Sequence, residues 1–309
     1  MCIRDRCLSN SNISLYSNTF KHNTANNDGA AIHMSKSEIN SFDSLLLCNN
    51  SANIGVVYLL GSTAQFYGET EFSHNFGSYL LFNSNATFRG TVNFINCSEP
   101  MQSQDRFDMQ EGGALTVLKS NIIFTGTSTL MKNYAKNGGA IHASESKLYI
   151  NGEMTIANNT ANDTGGGVYL DMSEVHCQSN SYLELLNNVA TKKGGGVHAI
   201  SSVVNVNGNF TYNTTTAEAT YSGSSLYFTD NKAEKGGGLC LEINAKLYIL
   251  KFMPHNESSS IVTFTGNSAN LGGAVYVSDD SNLGQCNPCL LYTSPSPRDA
   301  TLSRMPSSA

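Results

Sequence analysis

Gly138-Gly139-Ala140-Ile141-His142-Ala143-Ser144-Glu145-Ser146-Lys147-Leu148-Tyr149-Ile150-Asn151-Gly152-Glu153-Met154-Thr155-Ile156-Ala157-Asn158-Asn159 decides the fold. Apolar residues alternate with polar ones at Ile141 and Ala143, at Leu148 and Ile150, and at Met154 and Ile156. Period-two alternation of this kind marks strands with one face turned inward. Each alternating piece is only about four residues long, and a different punctuation separates it from the next: Gly-Gly, then Ser146, then Gly152, then the closing Asn159.

The same unit runs through the chain, its first glycines at Gly29, Gly55, Gly77, Gly112, Gly138, Gly165, Gly194, Gly236 and Gly272. Serines recur about eight residues later, at Ser37, Ser62, Ser84, Ser120, Ser146, Ser173 and Ser202, with Ala245 in the eighth copy. A tetrad then ends in Asn23, Asn50, Asn75, Asn133, Asn159, Asn188, Asn231 or Asn267, and Phe94-Ile95-Asn96-Cys97 is the one defective copy. Three short strands and three turns per unit predict an all-β, right-handed parallel β-helix solenoid of about nine three-strand coils, the hand following from the crossover rule. At ~4.8 Å per coil the rod would be roughly 43 Å long. The eight asparagines predict a structural ladder, each amide donating to and accepting from the next coil. Each ladder Asn is also expected to take the left-handed conformation that a sharp turn needs.

Composition narrows the function classes. Only 14% of the 309 residues are charged, the formal net charge is −6, and Asn occurs 36 times, so a basic nucleic-acid binder is excluded. No apolar run approaches the ~20 residues of a spanning helix. Four of the six Arg and three of the six Pro fall at the two ends, which lack the repeat and resemble translated sequencing-library adaptor. Residues 1–6 and 289–309 are therefore set apart as tails around a repeat domain of 7–288. The chain then enters in mid-coil, and the uncapped solenoid ends would favour end-to-end self-association.

The pairing of Gly-Gly-Ala plus Leu, Ile or Val (Gly112 to Leu115, Gly138 to Ile141, Gly272 to Val275) with Phe-x-x-Asn (Phe20 to Asn23, Phe72 to Asn75, Phe228 to Asn231, Phe264 to Asn267) resembles the repeat of the chlamydial polymorphic membrane proteins. The likeness spans Ser11 to Ser278, although several copies read Gly-Gly-Gly. It implies a pectin-lyase-like β-helix exposed at the cell surface, in the outer membrane if bacterial, acting in adhesion toward a surface protein or glycan.

No residue pattern predicts catalysis, a cofactor or a metal. Asp279-Asp280 is the only adjacent acidic pair and follows the last strand. His33, His142 and His198 share one column, but His142 and His198 stand two coils apart, ~9.6 Å by strand spacing, too far to share an ion. They are expected to be exposed ladder residues. Cys286-Asn287-Pro288-Cys289 mimics a metal spacing, yet its second Cys falls in the tail. Nine Asn-x-Ser/Thr sequons occur, little above the roughly seven that this composition gives by chance. Recognition is instead expected in three insertions at 97–111, 214–223 and 252–260. They carry Met101, Arg106 and Phe107, then Tyr221, then Phe252 and His255, types that include the Arg and aromatics enriched at binding hot spots. The leading expectation is a non-enzymatic adhesion or recognition segment. The alternative is a fragment of a polysaccharide lyase or hydrolase.

Overall fold

The computed structural model describes residues 6–98, 112–178, 180–207, 209–213, 218–249, 260–278, 280–283 and 292–293; for 6–8, 209–213, 218–222 and 292–293 the strand placement alone is described. Among these residues there is no helix. The chain winds as a right-handed parallel β-helix in which each coil contributes one strand to each of three sheets.

Strands after the glycine turns form the first sheet, among them Leu115–Leu118, Ile141–Ser144, Val168–Asp171 and Val197–Ile200. Those after the serine corner form the second, as in Asn121–Phe124, Lys147–Ile150 and Glu174–Cys177. The asparagine tetrads belong to the third, as in Ser128–Met131, Glu153–Ala157 and Tyr182–Leu186. Parallel pairing sets equivalent residues of the repeat side by side: Ile141 lies between Leu115 and Val168, Leu148 between Ile122 and Val175, and Ile156 between Leu130 and Leu185. The repeated apolar positions therefore become continuous buried columns. Aromatic rings stack along them, Phe66 on Phe88 at 4.6 Å between centroids, Phe88 on Phe124 at 5.3 Å and Phe228 on Phe264 at 4.7 Å. These separations follow from the strand spacing.

Ten strands stack along each main sheet, one more than the glycine turns number. Arg6–Ser9 pairs with Ile32–Ser35 and opens the first sheet, so the described chain begins with a first-sheet strand rather than in mid-coil. At the other end Tyr292–Thr293 pairs beside Thr263 and Phe264. Arg6 and these two residues, assigned by sequence to the tails, thus lie in sheet strands. An unpaired edge is a template for whatever backbone can reach it. Residues 1–5, 289–291 and 294–309 lie outside the described residues.

The corners differ from expectation in one respect. The left-handed residue is not the ladder Asn but its predecessor, as at His22 (φ 55°), Asn49 (54°), Lys132 (57°), Asn158 (56°) and Asn187 (54°). The serine corner does the same one residue early, at Lys36, Lys119, Glu145 and Met172. Such a conformation costs roughly 1–2 kcal/mol for a non-glycine residue. Hydrogen bonds from the next residue offset it. At Asn188, Oδ1 accepts from the backbone N–H of Asn159 at 3.0 Å and from its Nδ2 at 2.9 Å. Both the N–H and Nδ2 of Asn188 donate to Oδ1 of Asn231 at 3.0 Å, and Nδ2 also reaches the Ile156 carbonyl at 2.8 Å. The pattern joins Asn23 to Asn50, Asn50 to Asn75, Asn133 to Asn159 and Asn231 to Asn267. Between Asn75 and Asn133 the rung is Cys97, whose N–H donates to Oδ1 of Asn133 at 2.9 Å. In the serine ladder each backbone N–H donates to Oγ one coil on, as from Ser120 to Ser146 at 3.1 Å and from Ser146 to Ser173 at 3.0 Å. It lapses after Ser202, where Ala245 has no hydroxyl.

A second difference lies on the outer face of the first sheet. His33 is partly exposed, but His142 and His198 are buried, at 5% and 2% exposure, as are Thr116 and Cys240 in the same column. These side chains are covered because the glycine turns at Gly112, Gly138, Gly194 and Gly236 fold back against the residue four positions later. A Cβ on Gly29 would stand 2.5 Å from the Cβ of His33, and the N–H of Gly112 donates to Oγ1 of Thr116 at 3.0 Å. Short strands leading into these turns, Tyr134–Asn137, Thr160–Thr164 and Val189–Ala190, form a further small parallel sheet.

Candidate functional site

The segments expected to bind lie mostly beyond description. Met101, Arg106, Phe107, Phe252 and His255 fall outside the described residues, as do Asp279 and the Cys286-to-Cys289 motif. Tyr221 belongs to the strand Glu218–Ser222, which pairs antiparallel with Asn209–Asn213, in register with Phe210. The second insertion therefore begins five residues earlier than its sequence bounds, at Asn209, and carries local structure of its own. This hairpin leads into Ser225–Thr229, and residues 250–259 lead into Ile261–Thr265; the two strands pair, so the insertions leave one corner at successive coils. Residues 97–111 leave a different corner, between the third and first sheets.

Two groupings emerge that the sequence did not single out. The first is an exposed aromatic column at the corner after the second sheet. Tyr16, Phe42 and Tyr67 follow the successive strands Asn12–Leu15, Glu38–Ser41 and Thr63–Phe66. Their rings stack at 5.2 Å between Tyr16 and Phe42 and 5.2 Å between Phe42 and Tyr67, while 62%, 41% and 43% of their surfaces stay exposed. One coil further, the guanidinium of Arg89 lies 5.6 Å from the Tyr67 ring centre. The regular coils thus present more than small polar side chains. The sequence carried a signal, one aromatic directly after each of three consecutive second-sheet strands.

The second grouping joins His198, Cys240 and Glu242, whose donor atoms all lie within 4.8 Å of one another. Strand pairing sets His198 beside Cys240 and Ile200 beside Glu242. Oε2 of Glu242 receives Nζ of Lys193 at 2.7 Å and lies 3.1 Å from Nε2 of His198. Those two hydrogen bonds hold the Glu242 carboxyl down at about 2. Burial, with the nearby Glu242 charge, pushes the Cys240 thiol up to about 12. Cys240 is fully buried, so this Cys-His-Glu set has neither the thiolate nor the access that a nucleophile requires. Nδ1 of His198 is buried and has no hydrogen-bond partner among the described residues. Comparing histidines alone hid this set, because the neighbour of His198 in its column is a cysteine.

Residues 261–278 match the family model described as the Chlamydia polymorphic membrane protein repeat. The match covers 18 of the 309 residues. They hold the third-sheet strand Ile261–Thr265, the ladder residue Asn267, the turn at Gly272-Gly273-Ala274 and the first-sheet strand Val275–Val277. The repeat is therefore one ladder corner and one glycine turn with a strand on either side. Earlier coils reproduce it, as in Phe228 to Asn231 followed by Gly236 to Leu239, paired directly beside it. No curated protein and no solved structure matches the chain.

Proposed function

We propose that this β-helix is a non-enzymatic recognition segment displayed at a cell surface, and that it attaches through side chains held rigidly along its edges. The observation that carries this reading is the exposed Tyr16–Phe42–Tyr67 column closed by Arg89. Large exposed aromatics beside an arginine are the types that dominate binding energy at interfaces. A parallel-sheet scaffold holds them in place before contact, so little ordering entropy opposes association. The polymorphic membrane protein repeat supports a surface location, the outer membrane for a Chlamydia-type protein. The strand pair Asn209–Asn213 and Glu218–Ser222, which leaves the corner before Ser225–Thr229, is proposed as a second point of attachment. A protein or glycan of another cell or its matrix is the proposed partner.

Binding of the fluorescently labelled chain to cultured cells tests the reading. A Tyr16→Ser, Phe42→Ser, Tyr67→Ser variant with an unchanged circular dichroism spectrum should lose at least tenfold in attachment. Replacing the Asn209–Ser222 hairpin by a short Gly-containing turn should lower it further. Undiminished attachment by the combined variant would sink the proposal, and release of sugar fragments from a polysaccharide by the intact chain would make it an enzyme instead.

A further inference from the structure

We propose that His198, Cys240 and Glu242 form a zinc-binding site between two successive coils, in which the ammonium of Lys193 stands where the cation's charge would be. The three donors come from strands whose register is fixed by ladder pairing, so their nearness does not depend on a mobile loop. In a tetrahedral zinc site donors lie roughly 3.3–3.7 Å apart, as bond lengths of ~2.0–2.3 Å require. The present spacing of up to 4.8 Å would close by roughly 1 Å on binding. Imidazole, thiolate and carboxylate together suit a borderline cation. Calcium and magnesium, which take oxygen, are disfavoured by the other two donors.

One further observation points the same way. Nε2 of the His198 ring already lies 3.1 Å from Oε2 of Glu242, so the nitrogen that a metal shared with that carboxylate would take is aimed into the cluster. Charge also balances in both states. Without metal, the Glu242 carboxylate is neutralised by Lys193. With Zn2+, the Cys240 thiol gives one proton to solvent, thiolate and carboxylate together neutralise the dication, and Lys193 swings outward. Its side chain is 32% exposed and that of Glu242 10%, which makes the lysine the movable member and its path the way in. The electrostatic penalty on the thiol reverses once a cation is bound to it. The nearby Lys235, whose ammonium lies 5.5 Å from the Tyr276 ring, and the Tyr169 ring against His198 complete the surroundings. Three protein ligands leave the fourth position to water.

The test uses the full chain in a Cys286→Ser, Cys289→Ser background, so that the carboxy-terminal Cys-x-x-Cys cannot supply the signal. Titration of Zn2+ against a chromophoric chelator should give one ion per chain, and Co2+ should show a thiolate-to-metal charge-transfer band. Cys240→Ser and His198→Gln should each weaken binding by at least ~100-fold, the upper end of what even outer-shell changes cost. Lys193→Met should tighten it, and this variant retains every ligand if Cys240→Ser fails to fold. Unsaturable binding, a Co2+ spectrum without the charge-transfer band, affinity unchanged in His198→Gln, or weaker binding in Lys193→Met would each overturn the site.

Discussion

Asn188 is 0% exposed and takes part in five hydrogen bonds that reach the coils on either side. Truncation to alanine leaves the N–H of Asn159 without its acceptor, takes one of the two acceptors of its Nδ2 and removes the amide from the Ile156 carbonyl, in a site that water does not reach. A cost on the order of 2–3 kcal/mol is expected, since a buried group left unsatisfied costs about 1–3 kcal/mol and backbone relaxation recovers part of the sum. Cys97 tests the same logic in reverse. Asn75 directs its N–H and side chain at the Cys97 sulfur, a weak acceptor, and Sγ in turn lies 3.6 Å from the Phe72 carbonyl. Restoring the amide with Cys97→Asn should stabilise the chain by about 1 kcal/mol, read from the urea midpoint at constant m. A destabilised Cys97→Asn protein would mean that this rung has no room for an amide. The ladder asparagines were legible in the sequence because each tetrad ends in one. The left-handed residue before them also carried a signal, for His22, Asn49, His74, Asn96, Asn158, Asn187, Asp230 and Gly266 are all of types that favour that region and only Lys132 is not.

At the scale of the element, the third position of the glycine turn is Gly at 167, 196 and 238 and Ala at 31, 114, 140 and 274. A Cβ on Gly196 would stand 2.6 Å from the Gly238 carbonyl oxygen and 2.8 Å from Cδ1 of Phe228; on Gly238 it would stand 2.7 Å from the Ala274 carbonyl oxygen and 2.9 Å from Cδ1 of Phe264. Alanine occupies this position as Ala140, buried in the same core. In the glycine copies the carbonyl of the next coil and the core ring together leave no room for a methyl group. Gly196→Ala should cost about 1–3 kcal/mol through overpacking. Adding Phe228→Leu should return part of that loss, so a double-mutant cycle should show favourable coupling. Strictly additive effects would place the clash elsewhere. The same turn buries the column that sequence reading left exposed. Alternation correctly assigned those side chains to the outer face of their sheet, but the chain returning over them is a matter of turn geometry that a period of two does not encode.

For the molecule as a whole, the buried titratable groups set its behaviour in acid. Burial lowers His142 from 6.5 to about 4, and its Nδ1 has no partner among the described residues, so the native state holds the neutral ring. A folded pKa below the unfolded one means that the unfolded chain binds the proton first. Stability is complete above pH 6.5 and falls as the pH drops from there toward 4, by up to about 3 kcal/mol at 1.36 kcal/mol per unit. Glu242 acts in a lower window. Its carboxyl is held at about 2 against an ordinary 4.5, so its contribution is present above 4.5 and is lost as the pH falls toward 2. His142→Gln should flatten the decline of the urea midpoint between pH 6.5 and 4 and leave the decline below 4 in place. An unchanged profile would show that another group controls the first window. What the sequence determined by itself was the coil: the alternation, the three kinds of corner, the stacking of like on like and the asparagine ladder. These are legible because each coil meets only its neighbours, so the fold is nearly one-dimensional and its period is written along the chain. Tertiary structure alone decided which side chains meet outside the core. Glycine turns recur at intervals ranging from 22 to 42 residues, so sequence distance does not say that His198 meets Glu242 or that Lys193 reaches it. Those contacts arise only when strand pairing absorbs the unequal lengths in its loops and brings the corners into line.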